Sequence, residues 1–193
     1  IAGDRRPALV ALQEAARARG ARFLWDDARV TVGTGTGALT WPMDALRAPG
    51  AVDWAAVHDI PVALVTGSNG KTTVTRLVSG MITAAGLVGG HTSTDGIKVG
   101  AEVLDAGDFS GPGGARRLLR DRRVEMAVLE TARGGKAAGV DGAVVGVERL
   151  RVLRMRGADP ADGRDAQAEQ ITFGLRRVAL EIAVQAALAL GDR

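Results

Sequence analysis

A glycine-rich segment reads Thr-Gly-Ser-Asn-Gly-Lys-Thr-Thr over residues 66–73. Proteins bind polyphosphates with backbone N–H groups at the start of a helix and with a nearby cation. Here Gly67 and Gly70 let the backbone bend around the phosphates, and Lys71 brings a positive charge. The hydroxyl of Thr72 is suited to Mg²⁺. We therefore predict a phosphate-binding loop that holds ATP, formed by Gly67, Ser68, Asn69, Gly70, Lys71, Thr72 and Thr73.

The residues on both sides of this segment support the prediction. Residues 61–66 form an apolar run of the length expected for a buried parallel strand. After the loop, apolar residues recur at helical spacing until Gly86. Val65 stands where the common G-x-x-x-x-G-K-[ST] pattern has glycine, so the segment is the shorter G-x-x-G-K-T-T. The alternative is an ordinary glycine-rich turn before a helix, which the flanking strand and helix disfavour.

A carboxylate follows another apolar run. Residues 124–129 are typical of a buried strand, and Glu130 comes directly after them. Ligands of open α/β sheets bind beside the carboxyl ends of the strands, and Mg²⁺ prefers oxygen ligands. We predict that Glu130 and Thr72 bind magnesium, with a surface carboxylate beyond a strand end as the alternative for Glu130.

Three further segments resemble one known family. Together with the loop at 66–73, the motifs at 92–96 (Thr-Ser-Thr-Asp-Gly), 107–112 (Gly-Asp-Phe-Ser-Gly-Pro) and 129–135 (Leu-Glu-Thr-Ala-Arg-Gly-Gly) are similar to those of the Mur ligases, especially the cyanophycin synthetase-like members. The resemblance is strong over residues 60–136. It implies a P-loop NTPase-like central domain that uses ATP to convert a carboxylate into an acyl phosphate. An amine then forms the amide, with release of ADP and phosphate.

The resemblance also implies roles for individual residues. Lys71 and the loop would hold the phosphates in the catalytic reaction, while Thr72 and Glu130 would bind Mg²⁺. Asp95, Ser110 and Arg133 are candidate contacts of an amino-acid or peptide substrate. Turn chemistry explains Asp95 and Ser110 nearly as well, and Arg133 could instead be a solvated side chain. We assign no catalytic role to the two histidines, His58 and His91.

The pattern along the chain predicts an α/β fold with a mostly parallel sheet flanked by helices. We divide it into a small α+β segment with a linker at 1–59 and a central domain at 60–193. The other predicted elements are a helix at 7–19, strands at 23–25 and 29–32, a flexible turn at 33–37, a linker with a short helix at 41–59, strands at 143–147 and 171–174, and a helix at 178–190.

The composition narrows the classes of function. Without cysteine there is no disulfide framework and no thiol chemistry. The 25 basic and 22 acidic residues nearly balance, which disfavours a nucleic-acid surface. No apolar run approaches the roughly 20 residues that cross a bilayer. We expect a cytoplasmic enzyme without membrane partners, and a homo-oligomer is compatible with the sequence.

The resemblance breaks after residue 136. The expected Asn-x-x-x-Asp-His segment and the later lysine are missing, so the central domain looks incomplete. Either the natural protein has lost them or the sequence joins pieces that are separate in the natural chain, and the abrupt joins around residues 136–165 favour the second. Two other functions stay open: a nucleotide-binding but catalytically degenerate relative with a regulatory or scaffolding role, and a kinase, which the residues 130–135 disfavour.

Overall fold

The computed structural model of the protein describes residues 7–67, 70–131 and 150–155. This part of the chain contains the helices α1 (Pro7–Ala18), α2 (Lys71–Ala84) and α3 (Pro112–Leu119). Its strands are β1 (Phe23–Trp25), β2 (Arg29–Val32), β3 (Leu39–Pro42), β4 (Val62–Gly67), β5 (Gly89–Ser93), β6 (Gly96–Val99), β7 (Glu102–Ala106), β8 (Met126–Glu130) and β9 (Leu150–Met155). No helix among these residues has the length and apolar character needed to span a membrane.

The first three strands form a small antiparallel sheet in the order β1-β2-β3. Helix α1 contributes the buried Leu12 and Ala16 to a core that also contains Val30 and Val32 of β2. This core is separate from the two that surround the larger sheet, with one exception: Leu24 of β1 packs into the neighbouring core. The small sheet therefore has its own interior and also lies against the rest of the molecule.

The larger sheet has six strands in the order β7-β6-β5-β8-β4-β9. The pairs β5–β8, β8–β4 and β4–β9 are parallel, whereas β5–β6 and β6–β7 are antiparallel. The sheet is thus mixed, and the predicted α/β class holds while the predicted mostly parallel sheet is not confirmed. The antiparallel part arises because β5, β6 and β7 follow one another through short turns, which join antiparallel strands.

Helices α2 and α3 cover opposite faces of this sheet. Successive side chains of a strand point to opposite faces. Along β4, Ala63 and Val65 accordingly pack with α2, whereas Val62 and Leu64 pack in the core that contains α3. Burial on both faces explains why the sequence of β4 is apolar throughout.

Most elements that the sequence predicts over the described residues are present. The helix at 7–19 and the strands at 23–25, 29–32 and 61–66 correspond to α1, β1, β2 and β4. The predicted linker at 41–59 instead begins within β3, and its helix is a single 3-10 turn at Pro49–Ala51. The predicted elements at 143–147, 171–174 and 178–190 lie outside the described residues, and the domain division after residue 59 stays a prediction.

Candidate functional site

Three neighbouring parallel strands end at the same edge of the larger sheet. They are β5, β8 and β4. Strand β4 leads into the glycine-rich loop and then into α2, which begins at Lys71. Gly70 precedes the helix with φ of 76°, a left-handed conformation that favours glycine. The sequence therefore brings the start of a helix to the edge of the sheet where ligands of such folds bind.

A hydrogen bond at this edge joins Thr72 to Glu130. The Thr72 hydroxyl lies 3.0 Å from Oε2 and 3.2 Å from Oε1 of Glu130, so it donates to the carboxylate. Glu130 is only 2% exposed, although it is the last residue of its strand. The Oγ1 atom of Thr94 lies 3.4 Å from that of Thr72. One carboxylate and two hydroxyls therefore converge from α2, β8 and the turn after β5.

These oxygens suit a hard divalent cation. Mg²⁺ retains several waters and is commonly held by one or two carboxylates together with the phosphates of a substrate. Glu130 provides one carboxylate of this kind, and the hydroxyl of Thr72 lies beside it. A cation here would complete its coordination with phosphate oxygens and water.

Asp95, a predicted substrate residue, lies in the turn beside Thr94. Its Oδ2 atom is 2.6 Å from Nη2 of Arg76 in α2. Its backbone N–H donates to Oγ of Ser93, and its carbonyl accepts the N–H of Gly107. Asp95 is therefore close to the Thr72–Glu130 pair, but its carboxylate is already paired with an arginine that the sequence analysis did not select.

Ser110 lies in the loop before α3 and is almost fully buried. Its hydroxyl donates to Oδ1 of Asp108 at 2.7 Å, and its N–H donates to the same oxygen at 3.0 Å. These two bonds, the backbone one first, hold the pKa of Asp108 below its usual value. The N–H of Phe109 donates to the carbonyl of Ser93, so this loop adjoins the turn that carries Thr94.

Not every predicted site residue can be placed. Ser68, Asn69 and Arg133 lie outside the described residues. Gly67 ends β4, and Thr73 is exposed in the first turn of α2. The sequence analysis missed two polar side chains of α2 that contact β5 or its turn, Arg76 and Ser79. Arg76 and Ser79 follow Thr72 by four and seven residues, a spacing that predicts all three on one side of the helix. This spacing could have identified them from the sequence.

Residues 65–145 match the family model of the Mur ligase middle domain. The cyanophycin synthetase of Trichormus variabilis is 48% identical over 91 residues, which is 46% of this chain and 10% of that enzyme. The cyanophycin synthetase of Geminocystis herdmanii is 54% identical over 76 residues, which is 39% of this chain and 9% of that enzyme. The matched stretch thus spans about a tenth of the length of these relatives.

A comparison of folds finds a solved structure of UDP-N-acetylmuramoyl-L-alanyl-D-glutamate–2,6-diaminopimelate ligase. The match has a TM-score of 0.42 and 20% sequence identity, and it covers 57% of this chain and 23% of that one. The sequence relatives and the family model agree with the resemblance inferred from the motifs. The resemblance is therefore confirmed for part of the chain: residues 65–145 match the Mur ligase middle domain, and a stretch of 91 residues is similar to a cyanophycin synthetase.

Proposed function

We propose that this chain carries the ATP-binding part of a ligase that joins a carboxylate to an amine. The observation that carries the proposal is the hydrogen bond from Thr72 to the buried carboxylate of Glu130, next to the start of α2. The sequence relatives support the proposal, because both that are cited above are named cyanophycin synthetases. We further propose an amino acid or a peptide as the substrate.

In this proposal the loop and the start of α2 hold the phosphates of ATP. The first N–H groups of a helix have no partner within the helix and attract anions. Gly67, Ser68, Asn69, Gly70 and Thr73 would supply N–H groups, and Lys71 would place its ammonium group near the terminal phosphates. The left-handed Gly70 allows the chain to turn from the loop into the helix at this position.

Glu130 and Thr72 would hold Mg²⁺ at this site. The bound cation would neutralise charge on the phosphoryl group during its transfer. Glu130 provides the negative charge that balances the cation, and its burial keeps water from weakening that attraction. Thr72 would offer the lone pairs of its hydroxyl, whose proton is donated to Glu130.

The proposed reaction has two steps. An oxygen of the substrate carboxylate attacks the terminal phosphorus of ATP, and ADP leaves with the electron pair of the broken bond. The nitrogen of the amine then attacks the carbonyl carbon of the acyl phosphate, and phosphate leaves as the amide forms. Asp95, Ser110 and Arg133 stay proposed contacts of the substrate, in addition to the intramolecular partners that Asp95 and Ser110 have.

The proposal is tested by measuring ADP release over a panel of amino acids and short peptides. We expect turnover that requires ATP, Mg²⁺, a carboxylate and an amine together. Lys71→Ala should abolish ATP binding in calorimetry. Glu130→Gln keeps the size of the side chain but removes its charge, so it should spare nucleotide binding and lower turnover at least roughly 100-fold.

Lys98→Ala is the matched control, since it removes a lysine from β6 rather than from the loop. It should leave both ATP binding and turnover unchanged. Normal ATP binding by Lys71→Ala would overturn the site. Stabilisation of the protein by ATP without ADP release for any substrate pair would overturn the ligase and indicate a nucleotide-binding relative without catalysis.

A further inference from the structure

We infer that Arg76 and Asp95 are positioning residues, whose ion pair holds the Thr94 hydroxyl beside Thr72 and Glu130. The inference rests on the function proposed above and assigns a role to a pair outside the predicted phosphate loop. Neither side chain is required to touch ATP. Both act through the turn between β5 and β6, which carries Thr94, and Asp95 does so in addition to the substrate contact proposed above.

Three polar side chains of α2 contact β5 or the turn after it. Thr72 faces Thr94 with 3.4 Å between the hydroxyl oxygens, and Arg76 binds Asp95 at 2.6 Å. Further along the helix, Ser79 contacts His91. Helical residues three and four apart share one side, so these contacts form a row along one side of α2. The Arg76–Asp95 pair is the member of the row next to Thr94.

Asp95 is attached to the sheet by its backbone and to the helix by its side chain. Its N–H donates to Ser93 Oγ at 3.1 Å, and its carbonyl accepts from the N–H of Gly107 at 3.3 Å. Its carboxylate reaches across to Arg76. Loss of the ion pair would leave the turn bonded to Ser93 of β5 and to the loop before α3, while the turn's charged attachment to α2 would be lost. Thr94 would then be free to move away from Thr72.

The pair is too exposed to matter much for stability. The side chains of Arg76 and Asp95 are 63% and 51% exposed, and exposed ion pairs contribute about 0–1 kcal/mol. Its effect should therefore appear in catalysis, where displacement of a group by about 1 Å can cost roughly 100-fold in rate. The arginine also neutralises a carboxylate that would otherwise repel the phosphates of ATP.

A charge-reversal series tests the inference. We expect Arg76→Asp and Asp95→Arg each to lower kcat for substrate-stimulated ADP release about 10-fold or more, with a smaller change in KM for ATP. The double variant Arg76→Asp/Asp95→Arg restores the pair in reverse and should recover most of kcat. Arg76→Lys keeps the charge and should retain more activity than Arg76→Asp.

The matched control is Arg117→Asp. Arg117 pairs with Asp105 between α3 and β7, and its side chain is 51% exposed, so the change breaks a similar surface pair away from α2. It should leave kcat unchanged. All variants should keep the wild-type melting temperature within about 2 °C, because little stability depends on these pairs.

Two outcomes would overturn the inference. One is wild-type kcat in both single variants, and the other is a double variant no better than the singles. If the wild-type protein shows no stimulated turnover, the proposed ligase fails separately. The inference is then judged by Mg²⁺-dependent binding of a non-hydrolysable ATP analogue, which the single variants should weaken and the double variant should restore. Binding equal to wild type in the single variants would overturn it.

Discussion

His91 lies in β5, which pairs with β6, and its ring contacts helix α2. Its Nδ1 atom lies 3.0 Å from Oγ of Ser79, whose own proton is donated to the carbonyl of Thr75. The imidazole therefore donates from Nδ1. Lys98 stands opposite His91 in the antiparallel pair. Burial first, and then the charges of Lys98 and Arg76, lower the pKa of His91, while Asp95 raises it less.

This lowered pKa predicts that the protein loses stability as the pH falls below about 6.5, the usual pKa of histidine. There the unfolded chain binds a proton that the folded chain does not, so protonation favours unfolding. The contribution of His91 is complete above that pH and is lost progressively as the pH falls to the folded pKa. Urea unfolding at pH values of about 7.5 and 5.5 measures the change in the free energy of unfolding.

His91→Asn removes the titration and keeps an N–H donor for Ser79, so we expect a smaller loss of stability between the two pH values. His58→Asn is the matched control, because His58 is the other histidine of the chain. If the pH dependence were the same in wild type and His91→Asn, the assignment to His91 would be wrong.

At the scale of residues, the sequence indicates the elements that carry the candidate site residues better than it indicates the partners of those residues. Glu130 and Thr72 were proposed as joint magnesium ligands, and the structure brings them into contact. Their elements could be inferred from the apolar runs beside them. Asp95 and Ser110 were selected from motifs that resemble those of the Mur ligases, and each has a partner at this edge of the fold. The sequence shows that Arg76 lies four residues after Thr72 and therefore on the same side of the helix. It does not show that the turn after β5 brings Asp95 to Arg76.

At the scale of elements, the glycine-rich connection between β2 and β3 is tightly packed. The sequence analysis interpreted residues 33–37 as a flexible turn, but Gly33, Gly35 and Gly37 are buried. A Cβ atom on Gly35 would lie 2.3 Å from the carbonyl oxygen of Val124, next to β8. The N–H of Thr36 donates to that same oxygen at 3.0 Å. The glycines are therefore needed because they let two backbone segments pack closely, and not because they make the turn flexible.

We expect Gly35→Ala to lower the free energy of unfolding by about 2–5 kcal/mol. The φ of Gly35 is +55°, which a side chain rarely adopts, and the added methyl group would collide with Val124 and Ile60. Urea denaturation measures the effect. Gly50→Ala is the control, since no atom lies within 4 Å of its added Cβ, and it should change stability by less than about 1 kcal/mol. Equal effects of the two substitutions would contradict the packing argument.

The elements that the sequence analysis missed differ in composition from those that it found. Strand β4 and helix α2 have apolar runs or helical periodicity, because they pack against the core. Strand β5 reads Gly-Gly-His-Thr-Ser, and its glycines are needed since Ile82, Leu118 and Val124 pack directly on them. Strand β7 lies at the edge of the sheet and is partly exposed, so it lacks an apolar pattern. These strands can be identified only from their pairing with neighbouring strands in the structure.

At the scale of the whole molecule, Arg120 joins the end of α3 to the small sheet. It donates to Thr31 at 3.0 Å, to the carboxylate of Asp26 and to the carbonyl of Arg29, and its side chain is 12% exposed. Burial raises the pKa of Asp26, but the hydrogen bonds from Arg120 and from two backbone N–H groups outweigh it and lower the pKa overall. This arginine therefore satisfies polar groups of β2 and of the turn that precedes it.

Arg120→Ala should lower the free energy of unfolding by about 2 kcal/mol near neutral pH, because Thr31 and Asp26 would each lose one hydrogen-bond donor. A group with a lowered folded pKa adds stability above its unfolded pKa of about 3.8, and that stability is lost as the pH falls. The difference between variant and wild type should thus shrink in acid. Arg117→Ala, at a more exposed arginine of the same helix, should cost less than about 1 kcal/mol. A variant Arg120→Ala as stable as wild type would contradict the role.

The same contacts predict that the small sheet and the larger sheet unfold together. Leu24 packs in one core with Val62 and Val124, and Thr34 and Thr36 donate backbone hydrogen bonds to His58 and Val124. All three tryptophans lie in or beside the small sheet, at Trp25, Trp41 and Trp54.

Tryptophan fluorescence therefore reports on the small sheet, whereas far-UV circular dichroism reports on the whole chain. We expect coincident transitions in urea, as for a two-state domain. Arg120→Ala should shift both curves by the same amount, because it weakens a contact shared by the two sheets. A fluorescence transition that precedes the circular dichroism transition would instead show that residues 1–59 unfold separately. The division of the chain at residue 59 would then separate two units that unfold independently.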